Sequence, residues 1–433
     1  IYKMKRVLSS EVKKFNGKTV AVAGWVENLR DIGSLVFVIL RDRSGLLQLI
    51  CKGEVAEAAR KLNLESSVSA SGVVKVDEKI KMGGVEIAVE KIQLVAGSLP
   101  KLPVDIVGKT ETNFEHRFDH RVIDLRRSEA QGIFAVQSTL CNAFRDFLYK
   151  EGFTEVHTPK IIATGTEGGT SLFPVKYFEK NAFLAQSPQF YKQMLVGAGF
   201  ERVFEIAPVF RAEEHNTPWH LNEYVSLDFE MGFIKDELEV IKQTEKTLKY
   251  MLKKVMDRHL SQMPEKLGVI KIPKKIPVLK YWELPKILFS MGKEFDVTQD
   301  LTRELEGLLC QYSKKLFNSD FVFVNNYPAD LRPAYTQPHT RKGYSRGFDL
   351  LFDGVEIVSG GQRVHDVNLL EKRFAEKGFN PKDFEFYFEV FRYGMPPHGG
   401  QAFGLERLTA RLLGLNNVRE ATFFPRDRNR ITP

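Results

Sequence analysis

The chain has 433 residues, of which 43% are hydrophobic and 27% are charged. These fractions are those of globular proteins, and they exclude a disordered, collagen-like or coiled-coil chain. No apolar run reaches the ~18 residues that a membrane-spanning helix needs, and the length predicts two or three domains.

The net charge of +8 is unevenly distributed along the chain. Residues 1–100 hold 16 Lys and Arg against 11 Asp and Glu, and so carry five of the eight excess positive charges. This pattern is typical either of an ordinary basic surface or of an N-terminal module that binds a polyanion. Charge alone favours the ordinary surface.

The three cysteines, Cys51, Cys141 and Cys310, are far apart and have no metal-ligand spacing. They predict buried free thiols of a reducing compartment rather than disulfides or a zinc site. The first residues lack the apolar segment of a secretory signal, so we expect a cytoplasmic protein.

Residues 17–97 have the pattern of an all-β segment. Turn residues separate five β-prone runs, which are Thr19–Val26, Val36–Leu40, Leu46–Ile50, Val68–Val76 and Val85–Val95. An Ala-rich stretch, Glu54–Asn63, predicts a helix between the third and fourth runs. Five short strands with one helix after the third are typical of a small Greek-key barrel of the oligonucleotide-binding (OB) type.

A proline-marked stretch, Leu99–Pro103, ends this barrel, and from Glu129 the pattern becomes helical. Apolar residues then recur at helical spacing, at Ile133, Val136, Leu140, Phe144 and Phe147. A second long helix is predicted over Asp236–His259. Four further segments have a strand-like pattern, namely Val203–Phe210, Tyr224–Phe233, Phe321–Asn325 and Phe348–Val358. We therefore predict an α+β chain with a barrel over residues 1–104, a hinge over 105–130 and one large domain over 131–433.

The segment Phe210–Glu230 has a high density of Arg, Glu and His around one turn. It predicts a strand, a polar loop and a second strand. Asp228 and Glu230 lie two apart on the second strand and so face the same side. Two carboxylates there are costly unless they are paired or bind a ligand. A solvated hairpin with internal charge pairs is the alternative, but the charge density favours a site for phosphate and ammonium groups.

Two further segments carry chemistry. In Gly347–Arg363, Asp349, Glu356 and Ser359 offer the hard oxygens that Mg²⁺ prefers, and the alternative is a glycine-rich turn with surface acids. In Pro396–Leu408, a glycine-rich turn that runs into a helix could bring backbone N–H groups against a phosphate. A glycine cluster alone is a weak signal.

In this order, the three segments resemble the second motif, the metal-binding strand and the third motif of class II aminoacyl-tRNA synthetases. Gly152–Ile161 resembles their first motif, and the barrel resembles the anticodon-binding domain of subclass IIb. The strings Thr166–Thr170, Gln186–Gln193 and Phe424–Asp427 are most similar to those of aspartate-specific members of the archaeal and eukaryotic type. The resemblance implies an OB-fold barrel followed by a catalytic domain built on a mainly antiparallel sheet flanked by helices.

The resemblance also implies a two-step reaction. Aspartate and ATP give aspartyl-adenylate and pyrophosphate, and the aspartyl group then passes to the 3′-terminal adenosine of tRNA-Asp. Such catalysis depends on positioning and on cations rather than on a covalent nucleophile. The ATP-binding residues that the resemblance implies are Arg211, Glu213, His220, Tyr224, Glu356, Gly404 and Arg407, with His215 ranked below His220.

Aspartate binding is implied for Glu167, Ser187, Gln189, Lys192, Arg211, Asp228, Ser359 and Arg363. Of these, Lys192, Arg211 and Arg363 are the candidate catalytic residues. Lys192 and Arg363 should form a doubly positive pocket for the side-chain carboxylate, because asparagine would leave a buried cation underpaired. The loop 164–170 resembles one that closes over the substrate. Without the flanking motif, Lys192 would be interpreted as a helix-surface lysine.

The metal site and the dimer are implied in the same way. Glu356 and Ser359, with Asp349, should hold Mg²⁺ on the phosphates. The segment around Pro159 should form the interface of a homodimer.

Three residues of the barrel, Arg30, Phe37 and Gln48, match anticodon-reading positions of the family. Phe37 should stack on an unpaired base, and the other two should read base edges. Spacing on the strand would by itself favour a core position for Phe37.

Two alternatives remain open, an asparaginyl-tRNA synthetase and a synthetase-like paralogue that binds RNA without charging it. Asparagine enzymes tend to carry a carboxylate at the position of Lys192, and lysine enzymes would need an acidic pocket. Paralogues usually lose part of the second and third motifs, which are present here. Members that also charge tRNA-Asn tend to have His at the position of Glu27 and Pro at that of Lys81, so we expect an enzyme strict for tRNA-Asp.

Overall fold

The computed structural model describes residues 4–108, 110, 112–165, 171–214, 217–261 and 263–433. The chain divides into two compact units, with the boundary between Ile123 and Asp124. This boundary lies within the predicted hinge, 105–130. The hinge region contains two short helices, α2 (Phe114–Asp119) and α3 (Arg121–Asp124).

The N-terminal unit is a closed five-stranded barrel with strand order β1-β2-β3-β5-β4. Its elements are β1 (Thr19–Asp31), β2 (Leu35–Asp42), β3 (Gly45–Lys52), α1 (Gly53–Arg60), β4 (Ser67–Val76) and β5 (Val85–Ala96). The predicted five strands, with one helix after the third, are confirmed. A 3-10 helix, Ser9–Phe15, precedes the barrel and was not predicted.

The barrel core follows from the alternation of side chains along each strand. On β2, Val36, Val38 and Leu40 are buried in the core, and Leu47 and Leu49 of β3 join them. Residues between them on the same strands must therefore face outward.

The C-terminal unit is built on an eight-stranded sheet with strand order β12-β13-β14-β15-β16-β11-β10-β6. The pairs β12–β13 and β10–β6 are parallel, and the other neighbours are antiparallel. A small sheet has the order β7-β9-β8. The strands are β6 (Thr154–Glu155), β7 (Ile161–Ile162), β8 (Pro174–Tyr177), β9 (Lys180–Leu184), β10 (Arg202–Phe210), β11 (Glu223–Gly232), β12 (Val278–Lys280), β13 (Phe321–Asn325), β14 (Gly347–Phe352), β15 (Val355–Gln362) and β16 (His398–Gly404).

Two short helices, α2 and α3, follow the barrel in the chain, and the helices from α4 onward belong to the C-terminal unit. The helices are α2 (Phe114–Asp119), α3 (Arg121–Asp124), α4 (Ser128–Lys150), α5 (Gln189–Leu195), α6 (Glu237–His259), α7 (Pro264–Leu267), α8 (Leu284–Phe289), α9 (Arg303–Phe317), α10 (Val367–Glu376), α11 (Glu385–Arg392) and α12 (Leu405–Leu412). The predicted α+β class with a mainly antiparallel sheet is confirmed.

The two long helices pack against each other and on the sheet. Val136, Leu140 and Phe144 of α4 are fully buried, as their helical spacing predicted. The helix α6 begins one residue later than predicted, because the side chain of Asp236 caps it by accepting from the backbone N–H of Leu238 at 3.0 Å.

Two segments differ from their predicted structure. Phe348–Val358 is a hairpin rather than one strand, because Asp353 and Gly354 both have positive φ (48° and 73°) and form the turn between β14 and β15. The glycines of Pro396–Leu408 belong to the central strand β16, not to a turn. A Cβ on Gly400 would lie 2.1 Å from the Phe229 carbonyl oxygen, so glycine serves close packing here.

The three cysteines are free thiols, as predicted; Cys51 and Cys310 are buried and Cys141 is partly buried. In the described part of the chain, no helix is both long and apolar enough to cross a membrane.

Candidate active site

A cavity of about 110 Å³ lies over the middle of the large sheet, between β11, β15 and β16. The seven residues predicted to bind ATP all line it, together with Ser359; they are Arg211, Glu213, His220, Tyr224, Glu356, Gly404 and Arg407. These residues are spread over nearly 200 positions of the chain, and the fold brings them to one place.

The strands explain why these side chains face the cavity. On β11, Tyr224, Ser226, Asp228 and Glu230 alternate with core residues and so share one face. On β15, Glu356 and Ser359 are three residues apart and would face opposite sides of a regular strand. The pairing with β14 shifts register between Val358 and Glu356, which makes a β-bulge that turns both side chains to the cavity.

The polar side chains of the cavity form a loose network. The guanidinium of Arg211 lies 5.7 Å from the centre of the Tyr224 ring and 3.9 Å from the Glu213 carboxylate. Glu213 also lies 3.6 Å from His220 Nε2, and Glu356 lies 3.9 Å from Arg407. An aromatic face beside several guanidinium groups can accept both a base and phosphates.

Four charged side chains form a buried cluster along the same face of β11. Lys192 Nζ lies 2.9 Å from Asp228 Oδ1 and 3.3 Å from Glu230 Oε2. Arg363 Nε donates to Glu230 Oε1 at 3.0 Å. Each of the four side chains is at most 6% exposed.

This cluster corrects the expected doubly positive pocket. The two predicted cations do meet, but Glu230 lies between them and Asp228 pairs with Lys192, so the four formal charges cancel. Burial raises the pKa of Glu230, but the charges of Arg363 and Lys192 outweigh that effect and hold the pKa below its usual value. A buried cation without such a partner would be far too costly, which is why the compensating acids are present.

A directional chain of hydrogen bonds supports Arg363. Arg363 Nη2 donates to Gln189 Oε1 at 3.2 Å, and Gln189 Nε2 donates to Gln193 Oε1 at 2.9 Å. Gln193 Nε2 donates to His398 Nε2 at 2.8 Å, and Nδ1 of that ring donates to the Pro396 carbonyl at 2.8 Å. Since a carbonyl oxygen can only accept, the Pro396 end sets the direction of the whole chain.

His398 is suited to this role because it stays neutral. It is fully buried, and burial lowers its pKa to about 4. Tyr387 adds a second donor to Gln193 Oε1 at 3.0 Å. The orientation of Gln189 toward Arg363 is therefore determined by residues on α5, α11 and β16.

The predicted metal ligands are not equivalent. Glu356 and Ser359 line the cavity, whereas Asp349 Oδ2 and Ser359 Oγ both contact Arg332, at 2.5 Å and 3.2 Å. Burial and the nearby Asp349 carboxylate raise the pKa of Glu356. The Asp349 Oδ1 atom is buried without a hydrogen-bond partner.

These residues fit a divalent cation that takes most of its ligands from phosphates and water, as Mg²⁺ does. Among the described residues, no group of three or more His, Cys, Asp or Glu side chains forms a preformed metal site. The buried, unpartnered oxygen of Asp349 and the raised pKa of Glu356 are what a nearby cation would relieve.

The three barrel residues lie on one outer face. Arg30 on β1 is directly opposite Phe37 on β2, which is opposite Ile50 on β3. Gln48 is two residues from Ile50 and so faces the same way, and its amide donates to Glu86 at 2.9 Å. Phe37 is not among the residues of the barrel core, so the core position that strand spacing favoured is wrong.

The sequence matches the family described as tRNA synthetases class II (D, K and N) over residues 113–428, and the OB-fold nucleic acid binding domain over residues 20–95. The chain belongs to the class II tRNA synthetases. It is therefore an aminoacyl-tRNA ligase.

Similar proteins extend over the full length of this synthetase. The aspartate–tRNA(Asp) ligase of Pyrococcus horikoshii is 44% identical over 98% of this chain and 99% of its own. The aspartate–tRNA(Asp/Asn) ligase of Methanopyrus kandleri is 44% identical over 96% and 97%. A crystal structure of asparaginyl-tRNA synthetase from Pyrococcus horikoshii, complexed with asparaginyl-adenylate, has a TM-score of 0.93 and 32% identity and covers 99% of this chain and 100% of that one.

Some predicted residues of the synthetase remain outside this description. Glu167 and most of the loop 164–170 fall in 166–170, and His215 falls in 215–216, outside the described residues. Ser187 is described: its Oγ accepts from the backbone N–H of Gln189 at 3.4 Å, at the start of α5.

The prediction missed four residues that the structure brings to the site, Glu230, Arg332, Trp219 and His398. Only Glu230 had a signal, since its spacing from Asp228 indicated two acids on one face that needed partners. Arg332 and His398 are recognisable only from their tertiary contacts, and Trp219 only from its position in the lining of the cavity.

Proposed function

We propose that this synthetase activates L-aspartate with ATP and transfers the aspartyl group to tRNA-Asp. The observation that carries this proposal is the buried pair Lys192 and Arg363, which lies along β11 from the ATP cavity. Ser226 lines the cavity, and Asp228 and Glu230 follow it on the same strand face. A substrate carboxylate that extends from the cavity along this face would reach Lys192 and Arg363, which are held there by Asp228 and Glu230.

The neutral charge of the cluster suits a substrate that carries both signs. In this proposal the side-chain carboxylate of aspartate takes the place of Asp228 at Lys192, and Asp228 with Gln189 receives the α-ammonium group. Glu230 stays between the cations, so that one added carboxylate and one added ammonium leave the charges balanced. Asparagine would bring the ammonium without the carboxylate, at a cost of roughly 2–5 kcal/mol.

The ATP cavity supplies the other half of the reaction. Arg211 bridges the substrate carboxylate and the α-phosphate, and Tyr224 and Arg407 cover the adenine. Mg²⁺, held by Glu356 and Ser359 with Asp349 near it, would neutralise phosphate charge when bound. The protein's own contribution is to orient the carboxylate toward the α-phosphate.

ATP–pyrophosphate exchange, run with aspartate, asparagine and lysine in turn, tests this proposal. We expect exchange with aspartate and at least about thirtyfold less with the other two. Exchange driven best by asparagine would favour the alternative that the TM-score of 0.93 with an asparagine enzyme suggests. No exchange with any amino acid would favour a paralogue that only binds RNA.

We propose that the enzyme charges tRNA-Asp and not tRNA-Asn. Relatives with 44% identity include both the tRNA(Asp) and the tRNA(Asp/Asn) type, so identity does not choose between them. Glu27 bonds Arg41 at 3.0 Å and is not a free base-reading group. Aminoacylation of purified tRNA-Asn with aspartate tests this specificity. Efficient charging would show that the enzyme accepts both tRNAs.

The homodimer is proposed to form around Pro159. This residue and Ile161 are exposed, as is Phe178 on the β8–β9 hairpin. A solution mass of twice 49.5 kDa is expected from light scattering, and a monomer would contradict the dimer.

Phe37→Ala should weaken binding of tRNA-Asp by about 1–3 kcal/mol, the usual contribution of one stacked base. The side chain is half-buried on the outer face of the barrel, so its loss leaves the core intact. The measurement is tRNA affinity beside ATP–pyrophosphate exchange, which needs no tRNA and should not change. Loss of exchange in this variant would show a structural role for Phe37.

A further inference from the structure

Three arginines converge on one tryptophan at the edge of the ATP cavity. The guanidinium carbons of Arg411 and Arg303 lie 4.0 Å and 5.0 Å from the centre of the Trp219 ring. Arg407 Nε donates to the Trp219 backbone carbonyl at 3.4 Å. Trp219 and Arg407 both line the cavity. No motif of the sequence predicted Trp219, Arg303 or Arg411 as site residues.

Of the three, Arg411 serves as a fixed support. Its side chain is 14% exposed, and its two terminal nitrogens donate to Asp353 at 3.1 Å and to the Leu415 carbonyl at 3.0 Å. This arrangement holds α12, the hairpin turn at Asp353 and the Trp219 ring together. Both terminal nitrogens of Arg411 therefore already donate to protein acceptors.

Arg303 lies at the start of α9, and not all of its nitrogens contact the described part of the protein. Its Nη1 donates to the Gly354 carbonyl at 3.3 Å and lies 3.6 Å from Glu306. Within the residues that the structure describes, neither Nε nor Nη2 of Arg303 has a protein partner. The side chain is 40% exposed, so solvent or a ligand can reach these two nitrogens.

The surroundings of Arg303 favour an anion. Burial lowers the pKa of Arg303, and the nearby positive charges of Arg407 and Arg411 lower it further, against the opposite effect of the Glu306 and Glu356 carboxylates. An anion at this place would offset the repulsion among the three guanidinium groups. Arginine, with its planar fork, is the usual donor to phosphate.

We propose that Arg303, held against Trp219, is a binding site for the pyrophosphate end of ATP and for free pyrophosphate. Arg303 reaches the cavity through its contact with Trp219, which lines it. The proposal rests on the proposed function, in which ATP occupies that cavity. When the aspartate carboxylate oxygen bonds to the α-phosphorus, the bond from that phosphorus to the bridging oxygen breaks. The electron pair stays on that oxygen, and the leaving pyrophosphate carries the added charge that Arg303 meets.

The test compares Arg303→Gln with the parent chain for three ligands. We expect the KM for ATP in exchange and the Kd of inorganic pyrophosphate in calorimetry to rise about tenfold, the effect of one charge-assisted hydrogen bond. The Kd of a non-hydrolysable aspartyl-adenylate analogue, which lacks the β- and γ-phosphates, should not change. Arg303→Lys should lie between the two because it keeps the charge without the fork.

Lys293→Gln is the matched control. Lys293 pairs with Glu304 in the first turn of α9 at 2.8 Å and is 43% exposed, so the change in charge and exposure is similar. It should alter none of the three constants.

Two results would contradict the subsite. One is an unchanged KM for ATP and an unchanged Kd of pyrophosphate in Arg303→Gln. The other is a rise in the Kd of the adenylate analogue as large as that for pyrophosphate, which would show a structural role. The calorimetric comparison requires no turnover. It therefore decides on the subsite even if the parent chain fails to activate aspartate, in which case only the proposed function is contradicted.

Discussion

Arg363→Leu should abolish aspartate-dependent ATP–pyrophosphate exchange. Arg363 contributes one of the two cations of the buried cluster and contacts both Glu230 and Gln189. Without it, the substrate carboxylate loses a partner and Gln189 loses the contact that orients it. Removal of one partner of a buried charge pair costs roughly 3–5 kcal/mol, which corresponds to at least a hundredfold loss in exchange.

The same variant can also weaken the fold, because Glu230 would keep only Lys192 as a cationic neighbour. Arg363→Lys retains the charge and should remain folded, but it lacks the fork that reaches Glu230 and Gln189 together. We expect it to lose most activity while its thermal unfolding stays close to that of the parent. Exchange at the parental rate in a folded Arg363→Leu chain would remove this residue from the substrate pocket.

Arg392→Leu is the matched control for this series. Arg392 likewise has two side-chain partners, here the carboxylates of Glu371 and Glu385, but it is 39% exposed. Exposed pairs contribute little to stability, so neither exchange nor unfolding should change measurably.

Glu230→Gln should destabilise the C-terminal unit by about 3–5 kcal/mol at neutral pH. The carboxylate is fully buried between Lys192 and Arg363, and the amide would leave two cations with Asp228 alone. Urea unfolding of the full chain measures the change. Glu129→Gln, at a carboxylate that is 75% exposed, should shift stability by less than about 0.5 kcal/mol.

The effect of Glu230 should depend on pH in a defined direction. Since its pKa is held below the usual value in the folded chain, the stabilisation is present at neutral pH and is lost as the pH falls through that folded-state pKa. The difference in the free energy of unfolding between the parent and Glu230→Gln should therefore become smaller as the pH is lowered. A constant difference down to low pH would show that the carboxylate does not act through its charge.

A double variant separates charge balance from packing. Lys192→Met added to Glu230→Gln removes one cation as well as the acid, so part of the lost stability should return. The double variant should show no exchange, because Lys192 is proposed to hold the substrate. A double variant that is less stable than the sum of the two single variants would exclude charge compensation as the reason.

Much of the architecture could be predicted because it depends on local pattern. The alternation in Val36–Leu40 and the helical spacing of Val136, Leu140 and Phe144 are properties of single segments, and both are observed. The residues predicted to bind ATP, which line one cavity, could be named because they lie in motifs of adjacent residues. The Asp353–Gly354 turn was missed although an Asp-Gly pair between apolar runs is a hairpin signal.

The charge balance of the cluster around Lys192 and Arg363 could not be predicted. Lys192 on α5, Glu230 on β11 and Arg363 after β15 are up to 171 positions apart, and nothing in any one segment shows that they meet. The same holds for Arg332 at Asp349 and for Arg303 at Trp219. Pairing energies depend on which elements become neighbours in space, and burial then makes each pairing obligatory.

Segment patterns along the chain were thus enough to define the barrel, the long helices, the family motifs and the two cations. The folded arrangement alone decided that these cations are compensated, that a bulge aims Glu356 and Ser359 at one cavity, and that glycines lie in a central strand. The physical reason is that periodicity and turn chemistry act within a few residues, whereas desolvation and charge pairing act only between groups that the fold has already brought together.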